Sequence, residues 1–156
     1  MFDLDDSIRI RPFEKRDLDE VARLFDEYRQ FYEQPSDLER ARQFIGSRME
    51  NGESVLLVAE DAKGALGGFC QLYPTFCSVL AEPIYVLYDL YVAPAARRHG
   101  VARALLGAAH ERARADGKAR ADLTTAKTNV NAQALYESMG WKQDEVFLTY
   151  NLDVRG

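Results

Sequence analysis

A run of apolar and aromatic residues from Ile84 to Val92 leads through Ala93-Pro94-Ala95-Ala96-Arg97-Arg98-His99-Gly100 straight into Val101-Ala102-Arg103-Ala104-Leu105-Leu106. The chemistry this suggests is anion binding. Pro94 cannot donate to a sheet ladder and stops the strand, and Val101, Leu105, Leu106 and Ala109 then recur at helical spacing. The first amides of a helix lack intrahelical acceptors, and its dipole places partial positive charge there. The backbone from Arg98 to Ala102 is thus suited to a phosphate, with Gly100 allowing close approach and Arg97 and Arg98 adding charge. The same residues also suit a plain surface turn ahead of an amphipathic helix.

Other chemistries find less support in the residue inventory. The two cysteines, Cys70 and Cys77, lie in apolar or aromatic surroundings and read as reduced packing residues. The two histidines, His99 and His110, do not form a metal-ligand pattern, so no metal is expected. A net charge of −5 argues against a nucleic-acid partner, although Arg97, Arg98, Arg103, Arg112, Arg114, Lys118 and Arg120 gather in the central third. The acids Asp17, Asp19, Glu20, Asp26, Glu27 and Glu33 can attract a cationic amine at long range. For most of them a solvated helix face is the favoured reading.

Positioning these groups requires a sheet and helices. Ser7 to Pro12 reads as a first strand and Arg16 to Phe31 as a helix capped by Asp17, with Leu18, Val21, Leu24, Phe25 and Tyr28 on one face. A second helix covers Asp37 to Met49 and ends at Asn51-Gly52. Ser54 to Glu60 and Leu66 to Phe76 form a hairpin about Asp61-Ala62-Lys63-Gly64. After the strand and helix that flank Gly100 come a strand over Ala119 to Thr125, a helix over Asn129 to Met139 and a last strand over Glu145 to Asp153. This order predicts an α/β domain with a mixed sheet. The 156 residues, 47% hydrophobic, suffice for one domain over 1–156, its core spanning about 7–153. No apolar run approaches the roughly 20 residues of a membrane helix, and Met1-Phe2-Asp3-Leu4-Asp5-Asp6 is acidic rather than signal-like, so a cytoplasmic protein is expected.

Arg97-x-x-Gly100-x-Ala102 resembles the signature of the GNAT superfamily of acetyl-CoA-dependent N-acetyltransferases. Asn129-Val130-Asn131-Ala132-Gln133-Ala134-Leu135-Tyr136-Glu137-Ser138-Met139-Gly140-Trp141 is similar to a second segment of that family, with Trp141 in place of its usual Phe. The resemblance runs from Ile8-Arg9-Ile10-Arg11-Pro12 to Leu148-Thr149-Tyr150-Asn151-Leu152. It implies a single-domain α/β fold with a mixed, mostly antiparallel sheet of six to seven strands and about four helices.

It also implies roles. Acetyl transfer to an amine requires a polarised thioester carbonyl, a deprotonated nucleophile and a proton donor for the departing thiolate. Acetyl-CoA would set its pyrophosphate on Arg97, Arg98, His99, Gly100, Val101 and Ala102, and its pantetheine arm along the backbone of Leu90, Tyr91 and Val92. Asn129, Ala132 and Tyr136 share a helix face, and Tyr136 is the proton donor by resemblance, a reading favoured within the motif over that of a packed core or rim tyrosine. Where many relatives carry a strand glutamate as base, this chain has Tyr88 and Asp89. That pattern resembles polyamine and diamine acetyltransferases and makes Asp89 the group facing the amine, unless it is a buried carboxylate that ties loops together. Tyr28, Phe31, Tyr32 and Tyr73 can wall the acceptor pocket or belong to the core. The expected activity is acetyl transfer in a ternary complex to a small amine such as a polyamine, diamine or amino acid. The alternatives are a protein lysine or N-terminal acetyltransferase, or a non-catalytic acyl-CoA-binding regulatory domain. A homodimer fits the family habit, with no membrane partner.

Overall fold

A computed structural model describes residues 8–156, so Ser7 of the expected first strand lies outside the described residues. The chain divides into two compact units, Met1–Thr124 and Thr125–Gly156. The first holds a five-stranded sheet in the order β1-β2-β3-β4-β5. Its elements run β1 (Arg9–Pro12), α1 (Leu18–Phe31), α2 (Leu38–Glu50), β2 (Val55–Glu60), β3 (Leu66–Cys77), β4 (Glu82–Val92), α3 (Val101–Ala115) and β5 (Ala121–Asp122). The second unit holds α4 (Val130–Ser138). The sheet is mixed: β1 to β4 pair antiparallel in succession, and β5 lies parallel to β4.

Local chemistry sets these boundaries. Asp37 caps α2 by accepting from the Arg40 N–H at 3.0 Å. Asp61 turns the β2–β3 hairpin by accepting from the N–H groups of Lys63 and Ala65 at 2.9 and 2.8 Å. Asp17 does not cap α1 with its side chain. Its carboxylate is taken instead by the Arg11 guanidinium, at 2.8 and 2.9 Å, and by the Glu14 N–H at 2.7 Å. A short 3-10 turn over Lys15–Asp17 therefore precedes the helix, which starts two residues later than expected.

The strands bury both faces. Phe69 and Tyr91 join Val21, Leu24, Phe25, Ala41 and Ile45 of α1 and α2 in one apolar cluster. On the other face Gly68 faces Val101 and Leu105 of α3, where a Cβ would sit 2.8 Å from the Tyr91 carbonyl oxygen. Gly68 thus lets α3 lie close against the β3–β4 pair.

The strand count corrects the sequence expectation of six to seven. In place of Ala119 to Thr125, β5 keeps two residues, pairing Tyr85 with Ala121 and Val86 with Asp122. A bulge explains the stop: Leu87 opposes Leu72 and Asp89 opposes Gln71, leaving Tyr88 extra in β4. Such an insertion bends and twists the strand, and the parallel pairing ends just before it. No strand forms over Glu145 to Asp153. There Asp144 accepts from the N–H groups of Val146 and Phe147 at 2.7 and 3.0 Å, and such local bonds compete with a ladder. Val146, Phe147, Leu148, Tyr150 and Leu152 are exposed.

Candidate active site

In the first unit, the C-terminal half of α1 and the middle of β3 and β4 surround a cavity of about 480 Å³. Phe25, Tyr28, Arg29, Tyr32, Gln34, Phe44, Tyr73, Tyr88 and Asp89 line it. Tyr28, Tyr32, Tyr73 and Asp89, all expected at an acceptor site, are gathered here. Phe31, grouped with them from sequence, is exposed at 59% and lies outside the lining, its ring edge-on to that of Tyr32 at 5.2 Å. The rings interlock edge to face: Tyr28 with Tyr32 at 5.2 Å between centroids, and Tyr73 with Tyr88 at 5.6 Å.

Asp89 is the acid of this lining and is only 5% exposed. Gln71 Nε2 donates to its Oδ2 at 2.7 Å, and the Ser54 hydroxyl donates to Gln71 Oε1 at 2.6 Å. Gln71 is thereby oriented to present its N–H to the carboxylate. Burial pushes the Asp89 carboxyl above the ordinary aspartate value, with hydrogen bonds from Gln71 and Tyr28 opposing. The Tyr28 hydroxyl also donates to the Tyr88 carbonyl at 3.2 Å. Its phenol is raised by burial and then by the Asp89 charge, and Tyr73 is pushed up to about 12 for the same reasons. At neutral pH both remain protonated, able to donate.

The bulge at Tyr88 delivers this arrangement. It exposes Tyr88 (66%) while the next residue, Asp89, is buried opposite Gln71. It also separates β4 into a paired and an open stretch. Beyond Val86 no strand among the described residues pairs with the side of β4 away from β3. The Ala93 N–H donates to the Gly67 carbonyl of the neighbouring strand β3, so strand alternation turns the N–H groups of Leu90 and Val92 to the open edge. The Val92 carbonyl on that edge accepts from Arg97 Nε at 2.9 Å. The Tyr91 side chain goes elsewhere, its hydroxyl donating to Glu27 at 3.1 Å.

The turn after β4 is exposed from Arg97 to Gly100. Gly100 caps α3 in the left-handed region at φ 76°, and Arg98 also has positive φ, at 66°. A Cβ on Gly100 would have nothing within 4 Å, so the space beside it is open. The first intrahelical bond runs from the Ala104 N–H to the Gly100 carbonyl, leaving the Val101 and Ala102 amides without intrahelical acceptors. The geometry is that of an anion cradle at the end of a 15-residue helix.

In the second unit, Asn129 Oδ1 accepts from the Ala132 N–H at 3.2 Å and so caps α4. Tyr136 is half-buried, its ring 6.3 Å from that of Trp141. Its carbonyl accepts from the N–H groups of Met139 and Trp141, both at 3.0 Å, closing the helix.

The two motifs, the open edge of β4 and the cradle at α3 coincide with a family match over residues 18–141, to the acetyltransferase (GNAT) family. The chain belongs to that family. GNAT proteins move an acetyl group from acetyl-CoA to an amine, and by this membership the chain is an N-acetyltransferase. It is 44% identical over 147 residues to YhfO of Bacillus subtilis (strain 168), an uncharacterized N-acetyltransferase, covering 94% of this chain and 98% of that one. A probable acetyltransferase of known crystal structure is 40% identical, with a TM-score of 0.88, and covers 95% of this chain and 99% of that one. The aminoglycoside N-acetyltransferase AAC(6')-Iy, solved with CoA, shares the GNAT fold at 17% identity and a TM-score of 0.79, over 94% of this chain and 95% of that one.

Within this GNAT fold, several neighbours of Asp89 escaped the sequence reading. Gln71 and Ser54 lie 18 and 35 positions before Asp89 in the chain, and only the β2-β3-β4 register brings the three together. Phe25, Phe44 and Arg29 sit on helices whose periodicity marks a buried face but not a cavity. Of the N-terminal acids, Asp17, Asp19, Glu20, Asp26 and Glu27 turn out to be engaged internally. Asp19 pairs with Arg42, Glu20 accepts from the Leu66 N–H, Asp26 accepts from Ser36 and the Asp37 N–H, and Glu27 pairs with Arg23.

Proposed function

We propose that the chain acetylates a small primary amine by direct attack within a ternary complex with acetyl-CoA, and that Asp89 receives the amine. One observation carries this reading: a buried carboxylate, held by Gln71, in the lining of an aromatic cavity. A cation enters such a cavity favourably, attracted by the carboxylate and by the ring faces. An alkylammonium has a pKa near 10, so attack requires loss of a proton. Asp89, already raised by burial, accepts it directly or through water.

The cradle and the open edge of β4 fit the cofactor. Amides from Arg98 to Ala102 would hold the pyrophosphate, with Arg97 and His99 alongside, and the N–H groups of Leu90 and Val92 would guide the pantetheine arm and polarise the thioester carbonyl. As the C–N bond forms and the C–S bond breaks, the thiolate takes a proton from the Tyr136 hydroxyl, a role supported by the resemblance of Asn129 to Trp141. Asn129 and Ala132 belong to the same cofactor contact.

Thiol release from acetyl-CoA, measured against a panel of small amines and against lysine-bearing and N-terminal peptides, tests the proposal. Turnover with small amines is expected. Turnover with peptides alone would transfer the activity to protein acceptors, and cofactor binding without turnover would leave a regulatory domain.

A further inference from the structure

We propose that the acceptor carries a carboxylate on the same molecule as its amine, an amino acid or a compound built like one, and that Arg29 binds that carboxylate. The inference rests on the acceptor reading above and narrows it. Arg29, in the last turn of α1, lines the same cavity as Asp89. Its Nη1 is buried and has no hydrogen-bond partner. Arg23, Arg42 and Arg48 of the same two helices are occupied: Arg23 holds Glu27 at 2.7 Å, Arg42 holds Asp19 at 2.8 Å and Arg48 holds Glu53 at 2.9 Å. The Arg29 side chain at the cavity thus has no carboxylate partner among the described residues, and a carboxylate from a ligand, which a guanidinium takes through its planar fork, is the group best shaped to supply one.

Asp89 does not discharge that role. Gln71 and Tyr28 supply its hydrogen bonds. The cavity therefore offers one negative and one positive group in a lining otherwise dominated by aromatic rings, Phe25, Phe44 and Tyr73 among them. A molecule with an ammonium at one end, a carboxylate at the other and an apolar stem satisfies all three features. A diamine or polyamine brings a second cation toward Arg29 and offers it no acceptor. The volume of about 480 Å³ suits a small molecule.

The test is thiol release at saturating acetyl-CoA with matched acceptors. Phenylalanine, methionine and γ-aminobutyrate are each compared with the amine lacking the carboxylate, alongside putrescine and spermidine. The carboxylate-bearing member is expected to have a kcat/KM at least about tenfold higher, the scale of one charge-assisted hydrogen bond. Arg29→Gln should reduce that ratio to within about twofold, through KM of the carboxylate-bearing member, and Arg29→Lys should keep part of it, since lysine retains the charge but not the fork. Thermal melting checks that both variants fold. Turnover confined to carboxyl-free amines, equal rates for both members, or an Arg29→Gln loss shared equally by both would overturn the inference while leaving a small-amine acetyltransferase intact. No thiol release with either set would overturn both readings.

Discussion

Asp89 is held in a form that costs stability, which is a reason to look for its function. Its carboxyl is raised by burial, so the folded state binds a proton more tightly than the unfolded chain does. The stability linked to that proton is fully present below the unfolded pKa, near 4, and is lost as pH rises through the folded value. Above the folded value the wild type carries the penalty in full. Asp89→Asn keeps an oxygen for Gln71 and removes the charge, so its Tm should exceed that of the wild type at pH 7 and converge on it below about pH 4. Turnover should fall by roughly 10²–10⁴, the scale of a lost general base. A variant that loses both activity and Tm at pH 7 would mark Asp89 as a structural anchor. Tyr136→Phe tests the other end of proton transfer: kcat should fall by roughly 10²-fold or more with the acetyl-CoA Kd nearly unchanged, whereas a merely packed tyrosine would show its loss in Tm. Sequence could single out Tyr136 and Asp89 because they stand in a motif and on a strand. It could not single out Arg29, because a helical arginine gives no sign in sequence of whether its partner is a carboxylate, water or a ligand.

Among the elements, β4 and the turn into α3 do most to shape the site. The apolar run and Pro94 announced the strand and its end, but nothing in Leu87-Tyr88-Asp89 announces a bulge. A bulge depends on register against β3, and register is a property of two segments together. The same limit explains the final strand. Alternating residues from Val146 to Leu152 satisfy the pattern of a strand, yet the Asp144 side chain holds the entering backbone in local bonds. Gly100 gives the sharpest test at this scale. Its φ of 76° strains any side chain, while open space beside it means that a Cβ strikes no protein atom. Gly100→Val should therefore cost about 1–3 kcal/mol in stability and raise KM for acetyl-CoA by about tenfold or more, since the added carbons occupy the approach to the amides. Loss of stability without a change in KM would show that the cradle is only a turn.

On the scale of the whole chain, resistance to acid depends on an ion cluster remote from the cavity lining. Arg11, 6% exposed, reaches both oxygens of Asp17 and, at 3.0 Å, Glu60, tying β1 to β2 and to the start of α1. Burial alone would raise Asp17, but hydrogen bonds from Arg11 and the Glu14 N–H outweigh it, so its carboxyl lies below the ordinary value. Glu60 is lowered chiefly by its hydrogen bond from Arg11. Both carboxylates thus contribute stability that is present above their unfolded pKa values, near 4, and is lost as pH falls through the lower folded values. Removing the shared cation reverses the sign for Asp17. In Arg11→Met the carboxylate remains buried without its partner, and its pKa should move above the unfolded value. The variant should lose about 3–5 kcal/mol at pH 7, the cost of breaking a buried pair. Because protonation relieves Asp17 in the variant while it weakens the wild type, that difference should shrink as pH drops from 5 toward 3. Urea titrations at pH 7, 5 and 3 measure it directly. A pH-independent difference would mean that the Arg11 stem, rather than its charge, holds β1 in place.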